Sequence, residues 1–214
     1  MTTPDATPLR ADAQRNRERI LTAAKELLAD RGISVGFDEI ARAAGVGTGT
    51  VYRRFPCRDA LIDALFEEKL DEIVAIADAA LAERDVRAGI ASFCEHMAMA
   101  MHSDRALPAV MMREGEANPR LLDRREEMGR QMGSRINALV QRGHDAGVLR
   151  DGFSSGDLMV LTHLLGRLHG PAGSDVWRRY LILVLDSIWE RSGNTPLPGL
   201  GPDFSQFEQI VDDF

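Results

Sequence analysis

The chain has 214 residues, of which 44% are hydrophobic, which is enough for one large core or for a small domain and a larger one. It contains no apolar run of about 18 residues and no apolar segment near its start, so no membrane-spanning helix and no secretory signal are expected. The net charge of −7 is unevenly distributed: residues 1–60 hold ten Lys/Arg against eight Asp/Glu, and the remaining residues hold sixteen against twenty-five. The charge of the first part is therefore compatible with a nucleic-acid partner.

Helical spacing of apolar residues recurs along the whole chain and clean strand alternation is scarce, so we expect an all-α fold of about nine helices. Residues 1–14 are expected to form a flexible arm, and residues 14–31 the first helix. Pro56 and Asp59 mark the start of a long helix that reaches about residue 82. Further helices are expected over residues 85–102, 105–113, 119–145, 158–169 and 175–191, and the Pro/Gly-rich residues 193–214 are expected to form a tail with a short docking turn at residues 207–211.

Residues 37–55, FDEIARAAGVGTGTVYRRF, are the most informative stretch of the sequence. Their first half carries apolar residues at helical spacing and ends at Gly45, which suits the left-handed position after a helix. The second half reads as another short helix, with hydroxyl and guanidinium side chains around the apolar pair Val51 and Phe55. Two short helices joined by a glycine corner, the second rich in such groups, are typical of a helix-turn-helix that enters the major groove of DNA.

The segment from about residue 15 to residue 65 resembles the N-terminal domain of the tetracycline-repressor (TetR) family of bacterial regulators. The matching text is RILTAAKELLADRGI followed by DEIARAAGVGTGTVYRRFPCRDALIDALF, and it covers about a quarter of the chain. The resemblance implies a homodimeric, ligand-responsive repressor that a small apolar effector releases from a palindromic DNA operator, with no enzymatic activity and no cofactor. It also implies a three-helix DNA-binding head over residues 15–60 and a helical effector-binding and dimerisation body over residues 61–192.

The same resemblance implies which residues of the head meet DNA. Thr48 and Thr50 would face base edges, where hydroxyl and methyl groups read the sequence with limited precision. Tyr52 and Arg54 would lie on phosphates, and Arg58 would hold a further phosphate at the start of the long helix. A solvated helix end is the alternative for the Tyr-Arg-Arg cluster, but the glycine corner upstream favours the DNA interpretation. The predicted DNA-binding set is Gly47, Thr48, Thr50, Tyr52, Arg53, Arg54 and Arg58.

Eight of the nine methionines lie between Met97 and Met159. Core filling is the alternative role for each of them, but five fall on the inward faces of three helices that surround the effector cavity in the resembling family. Unbranched, polarizable thioethers suit an adaptable apolar pocket, to which Phe93 and His96 would add a flat wall and a polar group. The predicted effector site is Phe93, His96, Met97, Met101, Met111, Met128 and Met132.

The last two predicted helices are rich in apolar residues, so we expect them to form a dimer interface as well as to pack within the chain. A two-fold operator requires a two-fold protein, and two helices from each copy would build a four-helix contact. Gly166 and Gly170 would allow a close approach of backbones. The predicted interface set is Leu161, Leu165, Gly166, Trp177, Tyr180, Leu181, Val184 and Ile188.

An all-helical enzyme, or an interaction module without DNA affinity, is the alternative function. An enzyme would need convergent titratable groups, and the candidates Glu95, Glu114 and Glu116 come without the spacing of a nucleophile and base or of a metal site. Histidines recur six residues apart, on different faces of a helix, so no metal site is expected. Cys57 and Cys94 are too few for a disulfide framework, and a reduced cytoplasmic setting is expected.

Overall fold

The structure, a computed structural model, describes residues 6–31, 34–103, 119–168 and 176–211. These residues form nine α-helices and no β-strand, with one isolated antiparallel bridge between Leu149 and Trp189, so the all-α prediction is confirmed. None of the helices in this described part is long and apolar enough to cross a membrane. The helices are α1 (Ala6–Arg31), α2 (Phe37–Ala44), α3 (Thr48–Arg54), α4 (Arg58–Ala82), α5 (Val86–Ser103), α6 (Pro119–Asp145), α7 (Ser155–Arg167), α8 (Val176–Ile188) and α9 (Phe204–Val211).

The helix bounds differ from the sequence-based expectation mainly at the two ends of the chain. Helix α1 begins at Ala6, so residues 6–14 are helical and the expected flexible arm is wrong over that stretch. Ala, Leu, Arg and Gln there are good helix formers, and Pro8 is tolerated because it falls in the first turn. Helix α9 forms where only a docking turn was expected. The helix predicted over residues 105–113 lies outside the described residues.

Contacts between helices divide the described residues into two compact units, with the division between Lys69 and Leu70 inside α4. The first unit contains α1, α2, α3, the first half of α4 and the first turn of α6. The second unit contains the rest of α4 and α6 together with α5, α7, α8 and α9. The division falls inside a continuous helix, later than the predicted domain boundary after residue 60.

The core of the first unit explains why two such short helices are stable. Helix α2 has eight residues, too few to persist alone, so its stability depends on packing. Its buried side chains Ile40, Ala41 and Ala44 lie on one face and pack against the fully buried Ile20 and Leu21 of α1. The α1 helix is therefore the support on which the helix-turn-helix is built.

Surface polar contacts add to this support. Gly36 immediately precedes α2 and offers no side-chain cap, and its backbone N–H donates to Glu39 Oε2 over 3.2 Å. Glu39 Oε1 in turn accepts from Arg31 Nη1 over 2.8 Å, which ties α2 to the end of α1. At the other side of the unit, Lys25 Nζ lies 2.8 Å from the Glu68 carboxylate and ties α1 to α4.

The second unit has its own apolar core, centred on α5 and α6. Ile90 and Phe93 of α5 and Ile136 and Leu139 of α6 are all fully buried there. Helices α7 and α8 pack on this core and contribute five further buried side chains: Leu158, Leu165, Trp177, Leu181 and Ile188.

Two arginines of α6 fasten the second half of α4. Arg142 donates from Nη1 to the Leu81 carbonyl (2.5 Å) and from Nη2 to the Glu83 carbonyl (2.9 Å), so it satisfies carbonyls at the end of α4 that have no helical partner. Arg135 forms a two-point contact with the Asp78 carboxylate, at 2.7 Å and 3.3 Å. The guanidinium of Arg135 holds the pKa of Asp78 below its ordinary value.

The segment after α8 is docked on the second unit. The ring of Phe204 lies against α6 so closely that a Cβ at Gly133 would be 3.0 Å from its Cδ1. The carbonyl of Pro202 accepts the N–H of Gly156 over 3.1 Å, where a Cβ on that glycine would collide with it. Gly133 of α6 and Gly156 of α7 thus leave room for this segment to pack against the two helices.

Candidate nucleic-acid interface

The corner between α2 and α3 is made by Gly45, whose backbone adopts φ 62° and ψ 39°. Glycine reaches this left-handed conformation at little steric cost. The N–H groups of Gly45 and Val46 donate to the carbonyls of Arg42 (3.2 Å) and Ala41 (3.0 Å), which satisfies the end of α2. Arg19 of α1 donates to the Gly45 carbonyl over 3.3 Å. The predicted glycine turn is confirmed, and its hydrogen bonds are almost all local.

Helix α3 is held by two apolar side chains, Val51 and Phe55, both buried in the core of the first unit. Because α3 has only seven residues, this attachment decides which side it presents. Gly49 and Arg53 face away from the core, and a Cβ at Gly49 would meet no atom within 4 Å. The outer side of α3 is therefore an open surface within this unit.

Tyr52 is exposed over 54% of its surface, yet its ring is restrained. The ring lies edge-on to Phe37, with 5.0 Å between ring centroids and 60° between planes. An aromatic side chain that is already held in place loses less rotamer freedom when it binds a partner. The first helix of the motif therefore orients a side chain of the second.

The hydroxyl and guanidinium groups of α3 lie beside this ring. Arg53 Nη2 donates to Thr50 Oγ1 over 3.4 Å, and Arg54 is exposed. Thr48 and Thr50 are half-buried, so each keeps part of its surface open. Six of the seven predicted DNA-binding residues lie on α3 or at its start: Gly47, Thr48, Thr50, Tyr52, Arg53 and Arg54.

Arg58 has a contact that sequence reasoning missed. Its Nη1 donates to the Val35 carbonyl over 3.1 Å, which ties the start of α4 to the segment before α2. No local pattern connects positions that lie 23 residues apart, so the sequence carried no signal for this bond. The predicted phosphate contact of Arg58 stays a prediction, now with a structural role beside it.

Most of the predicted effector residues that the structure describes are buried or half-buried, and His96 is exposed. His96 lies on the exposed side of α5, one residue away from the inward position of Met97, and its Nδ1 is bonded to the Ser92 carbonyl over 2.8 Å. His96 therefore does not join the others. Met111 lies outside the described residues. The remaining five are buried or half-buried in the second unit: Phe93, Met97, Met101, Met128 and Met132.

The predicted interface residues fall on both sides of α7 and α8. Leu165, Gly166, Trp177, Leu181 and Ile188 are buried within this chain, and their part in a dimer interface stays a prediction.

A different stripe is exposed on the same two helices. Leu164 is exposed over 41% of its surface, Tyr180 over 44% and Leu183 over 53%, and the half-buried Leu161 and Val184 lie next to them. Sequence reasoning missed Leu164 and Leu183, although the spacing of Leu183 three residues after Tyr180 carried the signal of a second apolar face.

The titratable groups of the described residues include one thiol with a strongly raised pKa. No group of three His, Cys, Asp or Glu side chains in this part of the chain lies close enough to hold a metal ion. Burial raises the pKa of the Cys94 thiol to about 12, so this thiol stays protonated at neutral pH. The surface on α3, with Tyr52 exposed and Val51 buried, is the best-defined candidate site.

Comparison with known proteins agrees with this geometry. The family model described as bacterial regulatory proteins, tetR family, matches residues 20–65, which span the end of α1, the helix-turn-helix and the start of α4. The crystal structure of a TetR transcription regulatory protein from Mycobacterium vanbaalenii is similar over 86% of this chain and 100% of its own, with 31% sequence identity and a TM-score of 0.63.

Two curated relatives match over shorter stretches. An HTH-type transcriptional regulator of Staphylococcus aureus, SAR0097, is 35% identical over 77 residues, which are 35% of this chain and 40% of the relative. The HTH-type transcriptional regulator UidR of Escherichia coli is 29% identical over 121 residues, 53% of this chain and 58% of the relative. The chain thus spans less than two thirds of the length of either regulator.

Proposed function

This chain belongs to the TetR family of bacterial regulatory proteins and is a DNA-binding transcriptional regulator, and from that premise we propose that it is a homodimeric repressor released from a palindromic operator by a small apolar effector. The observation that carries the proposal is the outer side of α3, where Tyr52 and Arg54 are exposed on a helix fixed by Val51 and Phe55. An open, rigidly held helix with donors at its surface suits the major groove.

On DNA, the residues at the two ends of α3 contact different groups. Tyr52 and Arg54 bind phosphate oxygens and set the register of α3, which adds affinity for every sequence. Thr48 and Thr50 contact base edges and supply sequence preference. In a dimer, the two α3 helices reach successive major grooves when they lie about 34–36 Å apart.

The proposed effector site is the methionine cluster of α5 and α6. Met97 and Met132 are buried in the same apolar core as Phe93, and Met101 and Met128 are half-buried. Entry of an apolar molecule requires these side chains to change rotamer, which unbranched thioethers do easily. The buried position of the cluster favours an apolar effector over a charged one.

Helix α4 is the proposed connection between effector and DNA, since it begins at Arg58 in the first unit and ends at Ala82 in the second. The effector favours a conformation whose α3 helices are wrongly spaced for two successive grooves. Its effect is limited by its differential affinity for the two conformations, typically about 1–3 kcal/mol of coupling.

A binding assay with the DNA upstream of the protein's own gene tests the proposal. Fluorescence anisotropy should give a dissociation constant of about 10 nM or lower at physiological salt, with two chains per duplex. A scrambled duplex of equal length is the control. Equal affinity for both duplexes would exclude an operator in that region and favour an interaction module, and binding by a single chain would exclude the dimer.

A further inference from the structure

The second unit carries an open groove of about 420 Å³ between α7, α8 and the segment that follows α8. Val160 and Leu161 of α7, Ser187 of α8, and Leu197 and Ile210 of the C-terminal segment are among its lining residues. The lining is mostly apolar, and the volume lies in the range of sites that enclose a ligand or a large side chain.

The C-terminal side of this groove is preformed. Arg150 donates to the carbonyls of Ser187 (3.1 Å) and Thr195, so it links the end of α8 to the segment beyond it. The Pro202 carbonyl is bonded to the N–H of Gly156 at the start of α7. These bonds hold the segment against α7 and α8 before any partner arrives.

The groove continues the exposed apolar stripe of α7 and α8. Leu164 lies one helical turn beyond Val160 and Leu161, and Leu183 lies one turn before Ser187. The stripe and the groove therefore form one surface, with the C-terminal segment at its edge.

From this continuity we infer that the groove receives Tyr180 of a second copy, which makes the C-terminal segment part of the dimer interface. The inference rests on the proposed homodimer. In a two-fold dimer the same surface serves both copies, and a helix that crosses the axis packs antiparallel to its own copy. If the two-fold axis passes near Leu183, a residue that precedes Leu183 in one copy lies next to a residue that follows Leu183 in the other copy. Tyr180 then meets Ser187, where the groove lies.

Charges on α8 fit the same arrangement. Arg179 and Asp186 are both exposed and lie on opposite sides of Leu183. Antiparallel pairing about Leu183 brings Arg179 of each copy close to Asp186 of the other, where it joins the ion pair that Asp186 already makes with Arg191 of its own chain (2.8 Å). This complementarity favours a second copy over an unrelated occupant.

Variants in the C-terminal segment test the inference with a matched control. Ile210→Asp places a charge in the groove, whereas Leu200→Asp places the same charge on a side chain of the same segment that is 100% exposed and does not line the groove. Analytical ultracentrifugation of the full chain should show that Ile210→Asp weakens the dimer about tenfold or more and Leu200→Asp does not. Circular dichroism and thermal melting of both variants establish that they are folded.

A double-mutant cycle of Tyr180→Ala and Ile210→Ala tests the contact itself. Direct contact predicts that the double variant loses less dimer affinity than the two single losses combined. Additive losses, or an unchanged dimer in folded Ile210→Asp, would overturn the inference. If Leu183→Asp still dissociates the dimer, the proposed homodimer stands without the groove contact; if Leu183→Asp leaves it intact, the proposed interface fails as well.

Discussion

A Cβ placed on Gly166 of α7 would lie 2.6 Å from the Cβ of Met101 on α5, closer than real Cβ atoms approach. A Cβ is fixed to the backbone and cannot turn aside as the end of a flexible side chain can. The absence of a side chain at Gly166 therefore allows α5 and α7 to pack closely within one chain.

We expect Gly166→Ala to lower the free energy of unfolding by about 1–3 kcal/mol, the usual range for overpacking a core. The control is Gly129→Ala on α6, where a Cβ would lie 3.9 Å from Phe204, an ordinary contact. There alanine should be neutral or stabilise by about 0.5–1 kcal/mol, because it is the better helix former. Thermal and urea denaturation measure both variants. Equal effects at the two positions would show that the close approach at Gly166 is relieved by small shifts.

Arg54→Ala should weaken binding to specific and unrelated DNA alike and reduce the slope of log affinity against log salt by about one. The physical reason is the loss of one cation from the phosphate contacts. Anisotropy titrations at several salt concentrations measure this, with Arg84→Ala, an exposed arginine of the second unit, as the control. A salt slope unchanged by Arg54→Ala would remove this residue from the proposed phosphate contacts.

Tyr52→Phe separates the hydroxyl group from the ring. The edge-on contact with Phe37, 5.0 Å between centroids, needs only the ring and should survive. If the hydroxyl binds a phosphate, Tyr52→Phe should lose about 0.5–1.5 kcal/mol of DNA affinity while the melting temperature stays constant. Full affinity in Tyr52→Phe combined with a loss in Tyr52→Ala would mean that the ring alone makes the contact.

The two cysteines should differ in reactivity. Cys57 is exposed and Cys94 is buried, with the pKa of its thiol raised to about 12 by burial. A disulfide reagent at pH 8 should therefore modify one thiol per chain in the native protein and two in denaturant, and Cys57→Ser should abolish the native reaction. Rapid reaction of two native thiols would mean that the core around Cys94 opens readily.

His163 should make the protein less stable in mild acid. Burial, and then the charge of Arg167, lower the pKa of His163 from its ordinary value of 6.5, so the folded state resists protonation and the unfolded state does not. The contribution of neutral His163 to the free energy of unfolding is therefore fully present above pH 6.5. It is lost as the pH falls from there through the lowered pKa of His163 in the folded state. Urea denaturation across this range should show a smaller loss for His163→Gln than for the unaltered chain. An equal loss in both would assign the acid sensitivity to other groups.

The sequence indicated only a short docking turn in the C-terminal segment and not the close packing of Phe204 and Pro202 on the second unit. Its text is rich in Pro and Gly, which favours a poorly ordered tail. The segment is ordered because Gly133 and Gly156, on two helices far away in sequence, leave room for Phe204 and Pro202. Complementarity of this kind depends on positions that no local window contains.

The helix-turn-helix, by contrast, could be predicted from the sequence alone. A left-handed glycine at Gly45, an apolar face on α2, and the pair Val51 and Phe55 on α3 are local features, and each acts through backbone geometry or helical spacing within a few residues. The tertiary structure alone decided which face of α8 is buried. Both faces carry large apolar side chains, and the sequence pattern assigned Tyr180 and Leu181 to one stripe, although the structure exposes Tyr180 and buries Leu181. Only the packing of α8 on α5 and α7 buries Leu181 and leaves Leu183 exposed.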